Sequence, residues 1–400
     1  MREEKIIILS MLKEGKITAE EALNLIEALE EENPTETNKE KNQKEDAKEE
    51  KSSRFQFNNL EDIGLDISNA LSSMFSGLKD IGNSIGLKGY ETLTSHIDED
   101  ISNIENPVLD LRAINGGITL RPWTSPNILI KITCQYKNGL FNKDDKFYNF
   151  EIENNKIIFA PTYNSGVNIK LDISIPNKKY DEIILNSTNG KIDIDDLNLN
   201  TLKCVTSNAT IDIVDVNSIE MDISTKNGKI DIKDSYSKKI DAITSNASIT
   251  MEDIDCDYID LLTANGKIFV KDSEVISLNS STSNSSIEVR DVKAESIHLS
   301  TSNGKITCED FDLKKIKDLK LITSNGSINS DLHKIEKEVY FDLETSMGNI
   351  ILELPDLVYK TNKQANLGLK KIIAHSVNFD EHVDNLKLIA STSNGSIKIS

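Results

Sequence analysis

Asn189, Asn208, Asn227, Asn246, Asn265, Asn284 and Asn303 stand nineteen residues apart, seven in a row without an insertion. Taking each asparagine as zero, positions −6, −4, −2, +3 and +5 are apolar or carry Ser or Thr. Around Asn265 these are Ile259, Leu261, Thr263, Ile268 and Val270, and around Asn208 they are Leu202, Cys204, Thr206, Ile211 and Ile213. Alternation with period two on both sides of a polar corner predicts two strands per repeat, each with one buried face. A unit this short buries its apolar edge only by stacking on its neighbours. The frame continues after slips to Asn325 and Asn394, with Met347 standing in the asparagine place, and reaches upstream to Asn115 and Asn154. The fold class is therefore mainly β, a parallel β-solenoid of 19-residue repeats over 106–400, broken by an insertion over 355–385.

Stacking sets equivalent residues about 4.8 Å apart, so the asparagines form a structural ladder of amides and Thr206, Thr225, Thr244, Thr263, Thr282, Thr301 and Thr323 form a second column. Gly190, Gly228, Gly266, Gly304, Gly326 and Gly395 follow asparagine, which suggests a corner that needs positive φ. Two questions stay open at this stage. Asn-Gly between alternating strands is also a hairpin signal, so a meander of hairpins competes with the solenoid. A 38-residue beat, with Lys191, Lys229, Lys267 and Lys305 alternating with Thr210, Ser248 and Ser286, leaves the coil at either 19 or 38 residues.

Position +7 is aspartate in seven successive units, Asp196, Asp215, Asp234, Asp253, Asp272, Asp291 and Asp310. A carboxylate column can ligate Ca²⁺, but aspartate also closes turns, and the turn role is the expectation. Asp193, Asp212 and Asp231 form an outward acidic patch that acid–base chemistry could use. It recurs with the repeat, as a solvated face would. His96, His298, His333, His375 and His382 show no metal or triad spacing, and Cys134, Cys204, Cys256 and Cys308 have no ligand-like spacing. No cofactor or metal is implied, and the expectation is a chain that is not an enzyme. The net charge of −20 argues against nucleic acid, because phosphate contacts need clustered Lys and Arg.

Residues 1–32 read as a helical hairpin: Gly15 ends one helix, and Thr18 with Glu21 makes a capping box for the next. Residues 33–54 contain no large apolar side chain and read as a disordered charged linker. Residues 55–105 carry an amphipathic helix or cap segment with Leu60, Ile63, Ile67, Leu71, Met74, Leu78, Ile81 and Ile85 on one face. Gly64, Gly77, Gly82 and Gly86 weaken that helix unless something covers it. These eight residues, with Ile7, Leu12, Ala22, Ile26 and Leu29 of the hairpin, are the candidate partner- or membrane-binding positions. The start lacks the basic region and cleavage site of a signal peptide, and no window spans a bilayer. The localisation expected is cytoplasmic, peripheral at the inner face of the membrane, with surface exposure open.

At this point the chain resembles a bacterial family. "EEKIIILSMLKEGKITAEEALNLIEALEEE" is similar to the helical module that opens YvlB-like and LiaX-like proteins of Gram-positive bacteria. The "TSNGKI" and "TSNASI" units resemble the adhesin-type β-solenoid domain of unknown function attached to it. The resemblance implies a non-enzymatic role near the cell envelope, often linked to envelope or antimicrobial-peptide stress. The function expected is a scaffold or adaptor that binds protein partners or the membrane surface through its N-terminal helices, with self-association open. A cell-surface adhesin and a carbohydrate-active β-helix enzyme are the alternatives.

Overall fold

A computed structural model describes residues 90–140, 146–310, 312–332, 335–364 and 368–400. The helical hairpin, the linker and the amphipathic stretch, and with them Ile7, Leu12, Ala22, Ile26, Leu29 and the eight residues from Leu60 to Ile85, lie outside the described residues.

Ile230 is aligned in parallel with Ile211 on one side and Ile249 on the other, and Ile268, Ile287 and Ile306 follow in the same column. Each step is nineteen residues, so one coil is one repeat and the 38-residue beat is a modulation of side chains. Parallel neighbours rule out a meander of hairpins through this region. The protein is a β-solenoid. Its inward residues are mainly isoleucine, leucine and valine beside buried threonine and serine, and Ile259, Leu261, Ile268 and Val270 are buried in the Asn265 coil. Each such side chain contributes about 1.5–3 kcal/mol of transfer free energy, and the pleated face favours β-branched residues.

A coil has three faces, not two. In Ile192–Thr206 the buried positions are 192 and 194, then 197 and 199, then 202, 204 and 206. The change of phase after Ile194 is made at Asp196, whose φ is 57°. The third face was hidden in the sequence because serine fills much of it: Ser218, Ser235, Ser237 and Ser273 are buried there. Their hydroxyls bond within the stack, as Ser218 Oγ to Ser237 Oγ at 3.0 Å and Ser235 Oγ to the Lys233 carbonyl at 2.6 Å.

The glycines after asparagine need correction too. The positive-φ glycines among the described residues are Gly139, Gly166 and Gly368, none of them at a corner of the nineteen-residue repeat. Gly266 is required by crowding: a Cβ there would lie 1.6 Å from the carbonyl oxygen of Ala247 in the coil before. In the glycine coils the amide turns inward to its own threonine, as Gly266 N–H donates to Thr263 Oγ1 at 3.2 Å. Ala209, Ala247 and Ser285 occupy the corner in the alternate coils, which accounts for the two-coil beat.

At both ends the stack departs from chain order. Val108–Arg112 lies between Lys156–Pro161 and Tyr180–Asn186, and Asn385–Thr392 lies between Asp318–Ile322 and Glu338–Thr345. Asn154 does not join the asparagine column; it turns the antiparallel hairpin of Tyr148–Glu153 and Lys156–Pro161 with φ 55°. The sheet begins before the expected boundary at 106, because Tyr90–Asp100 pairs antiparallel with Asn127–Lys137. The insertion over 355–385 forms the hairpin Leu357–Lys363 and Lys370–Ser376, whose second strand runs antiparallel to Glu338–Thr345.

Candidate functional site

The corner repeated along the chain is a hydrogen-bonded seam. Asn189 donates from Nδ2 to Asn115 Oδ1, and the same bond repeats through Asn208, Asn227, Asn246, Asn265, Asn284, Asn303, Asn325 and Asn394 at 2.5–2.8 Å. Inside it, each threonine hydroxyl reaches the backbone of the neighbouring coil, as Thr244 Oγ1 to the Gly228 carbonyl at 3.0 Å and Thr263 Oγ1 to the Ala247 carbonyl at 3.1 Å. From Asn115 to Asn325 both hydrogen-bonding sides of each amide are engaged, so the seam offers a ligand little.

The aspartate column lies at the opposite bend. All seven residues from Asp196 to Asp310 have φ between 48° and 57°. Aspartate tolerates the left-handed region better than most side chains, and this is reason enough for its recurrence. A trough of about 750 Å³ runs along the column, lined by Asp253, Asp255, Asp272, Glu274, Asp291, Asp310 and Asp312 together with Lys293. At its side Glu252, Asp253 and Asp272 bring carboxylate oxygens within 4.8 Å of one another. Calcium takes six to eight oxygens. Here lysine already supplies the counter-charge: Lys233 sits 3.0 Å from Glu252, and Lys271 sits 2.5 Å from Asp272. Lysine in that place holds the Glu252 carboxyl below the usual carboxylate range, with the Lys233 hydrogen bond the largest cause.

The patch of Asp193, Asp212 and Asp231 is paired in the same way. Lys191 lies 2.5 Å from Asp212 and Lys229 lies 2.7 Å from Asp231. The sequence pattern places no arginine beside this patch, but Arg121 contacts Asp193 at 3.2 Å and Asp195 at 3.4 Å. Arg121 is 72 residues away in the chain and arrives only because the first coil is stacked against Ile192–Ile194. Each carboxylate of the patch is thus engaged by a cation of the stack.

A further column escaped sequence reading. Asp222, Asp241 and Asp260 are in register on an outward face, followed by Asn279, whose amide donates to Asp260 at 2.8 Å. Burial pushes the carboxyls of Asp222 and Asp241 above the usual range, against the pull of Lys203 and of Lys239. Position −5 of the repeat carried the signal, but lysine and histidine occupy it in other coils.

Of the histidines, His298 comes nearest to catalytic company. Its Nε2 meets Asp318 at 2.9 Å and Ser296 at 3.3 Å. A triad needs acid and hydroxyl on opposite ring nitrogens; here one nitrogen serves both. The hydrogen bond from His298 lowers the Asp318 pKa, as a surface ion pair does. All four cysteines are buried and free. No helix among the described residues is long and apolar enough to cross a membrane.

The family described as Toastrack DUF4097 matches residues 109–276 and 239–399, and a SHOCT-like domain matches residues 3–34. The Bacillus subtilis (strain 168) protein YvlB, itself uncharacterized, is 27% identical over 211 residues, 48% of this chain and 54% of the relative. The chain thus spans about half the length of that curated relative. Two crystal structures with cell-adhesion or adhesin labels are similar at low identity. One, from Clostridium sporogenes ATCC 15579, is 11% identical and covers 77% of this chain and 99% of its own at a TM-score of 0.21. The other, from Bacteroides fragilis NCTC 9343, is 12% identical and covers 78% and 97% at a TM-score of 0.30.

Proposed function

We propose that this chain, which belongs to the Toastrack DUF4097 family, is a non-enzymatic binding scaffold of the bacterial cell envelope. Its SHOCT-like module at 3–34 recruits a protein partner through Ile7, Leu12, Ala22, Ile26 and Leu29. The stretch from Leu60 to Ile85 rests on the membrane surface by burying its apolar face. The solenoid is the stiff element that presents a polar surface, and the role is that of an adaptor in an envelope stress response.

The observation that carries this reading is the pairing of the outward carboxylates within the stack. Glu252, Asp272, Asp193, Asp212 and Asp231 each meet a lysine or arginine of the same or a neighbouring coil. Such columns stabilise a surface rather than poise a reactive group. The opening module supports an adaptor, and the fit of the repeats to one family supports a common scaffold.

The test has two arms on the full chain. Flotation with neutral, anionic and highly curved vesicles is expected to carry the chain upward, and Ile67→Asp with Leu71→Asp should abolish it. Protease added to intact cells should leave the chain uncut. Cleavage in intact cells would replace the adaptor with a surface adhesin, and failure to float would remove the membrane from the scheme.

A further inference from the structure

Among the described residues, the solenoid has open strand edges of opposite charge at its two ends. Tyr90–Asp100 is paired on one side, with Asn127–Lys137, over its whole length and without a bulge. No other strand among the described residues pairs with it. Its sequence, YETLTSHIDED, carries four carboxylates and no lysine or arginine, and its side chains are mostly exposed. At the far end Leu357–Lys363 is paired with Lys370–Ser376 alone. Its sequence, LVYKTNK, carries two lysines and no carboxylate. Val358 and Tyr359 on this strand are 42% and 45% exposed.

An unpaired edge presents free N–H and C=O groups and is a template for another strand. We propose that the Leu357–Lys363 edge of one copy docks on the Tyr90–Asp100 edge of a second copy, head to tail. Charge selects this pairing over the others. Two copies of Tyr90–Asp100 would oppose carboxylate with carboxylate, and two copies of Leu357–Lys363 would oppose lysine with lysine. The irregularity between Tyr359 and Thr361 further disturbs self-pairing of the basic edge. Only the mixed pairing can set Lys360 and Lys363 against the cluster of Asp98, Glu99 and Asp100. Like-charge exclusion combined with opposite-charge attraction is how specific interfaces reject wrong partners. Because the two edges differ, each docked copy still shows one free edge, so the contact extends into short rows rather than closing as a two-fold dimer.

The test is sedimentation velocity of the full chain over a concentration series, at about 0.05 M and about 0.5 M salt, since exposed charges are screened at high salt. The expected result is concentration-dependent growth beyond monomer, weakened at least about tenfold by high salt. Lys360→Glu with Lys363→Glu should leave monomer, and so should Asp98→Lys with Glu99→Lys. Mixing these two variants should restore association, because the altered edges are again complementary. Thermal unfolding by circular dichroism should match the parent for both, which separates lost docking from lost fold. A single monomeric species at every concentration would overturn the proposal. So would association that persists in both variants, or variants that stay monomeric when mixed.

Discussion

Gly266→Ala should destabilise the middle of the solenoid by roughly 3 kcal/mol, while Ala247→Gly, one coil away at the equivalent corner, should cost about 1 kcal/mol or less. The added Cβ would lie 1.6 Å from the Ala247 carbonyl oxygen, 2.2 Å from its carbon and 2.8 Å from the Ser248 nitrogen. A carbon–oxygen contact needs about 3.3 Å, so the two coils must part by well over an ångström where their spacing is about 4.8 Å. Four bonds cross that gap. They are Thr263 Oγ1 to the Ala247 carbonyl at 3.1 Å, Asn265 Nδ2 to Asn246 Oδ1 at 2.7 Å, and the Ala264 and Asn265 amides to the Ser245 carbonyl at 3.1 and 2.9 Å. At about 1 kcal/mol each their loss is roughly 4 kcal/mol, and the reduced entropy of the unfolded chain returns about 0.4–1 kcal/mol. Stacked repeats open by neighbouring units, so urea unfolding followed by circular dichroism should be paired with hydrogen exchange over residues 244–270. Faster exchange confined to the Asn246 and Asn265 coils is the expected signature. A Gly266→Ala chain within about 0.5 kcal/mol of the parent would refute the crowding argument, as would an Ala247→Gly change of equal cost.

At the opposite bend, Asp253→Gly should be neutral or stabilising by up to about 1 kcal/mol and Asp253→Val should cost about 1–2 kcal/mol, because φ is 55° there; thermal melts of the pair decide it. Asp222 titrates above its ordinary value when folded, chiefly through burial. Folding therefore takes up protons, and this contribution favours the fold at low pH and is lost as pH rises through the folded value. Asp222→Asn should raise the urea midpoint at neutral pH and flatten its change on the acid side; an unchanged pH profile would contradict this. Burial pushes the Cys134 thiol up to about 11 and the Cys256 thiol up to about 12, and raises Cys204 and Cys308 also. All four should resist maleimide at about pH 8 in the folded chain and react together on unfolding, as mass spectrometry would count. Deleting residues 385–400 removes the coil on which Glu338–Thr345 and Ile350–Leu352 are stacked. Limited proteolysis of that variant should cut first between 335 and 376, and equal resistance to the full chain would disprove this dependence on the last coil.

Much of the solenoid was legible because its information is local and repeated. The nineteen-residue step places like beside like, so Asn208, Asn227 and Asn246 could be recognised as one column before any pairing was known. The same logic brought out Asp196 to Asp310 as turn residues. It failed where the cause lies in a neighbouring coil: the glycines looked like positive-φ residues because the Ala247 carbonyl that crowds Gly266 is nineteen residues away. It failed as well on the third face, where buried serines at 235, 237 and 273 mimic a solvated loop. The candidate surfaces were half legible. Asp193, Asp212 and Asp231 stood out, whereas Arg121 beside them and the Asp222, Asp241 and Asp260 column did not.

By itself the sequence determined the alternation of buried and exposed residues, the nineteen-residue repeat and the identity of the seam, since all three follow from periodicity along one strand direction, while the pairing register decided that one coil is one repeat. Tertiary structure alone decided which coil neighbours which at the ends. Val108–Arg112 and Asn385–Thr392 are inserted between segments far from them in the chain. Any coil in frame presents the same inward leucines and isoleucines and the same backbone edge, so local pattern cannot rank the possible neighbours. The order is fixed instead by backbone pairing on both sides of each inserted strand, a property of the whole sheet rather than of any stretch of sequence.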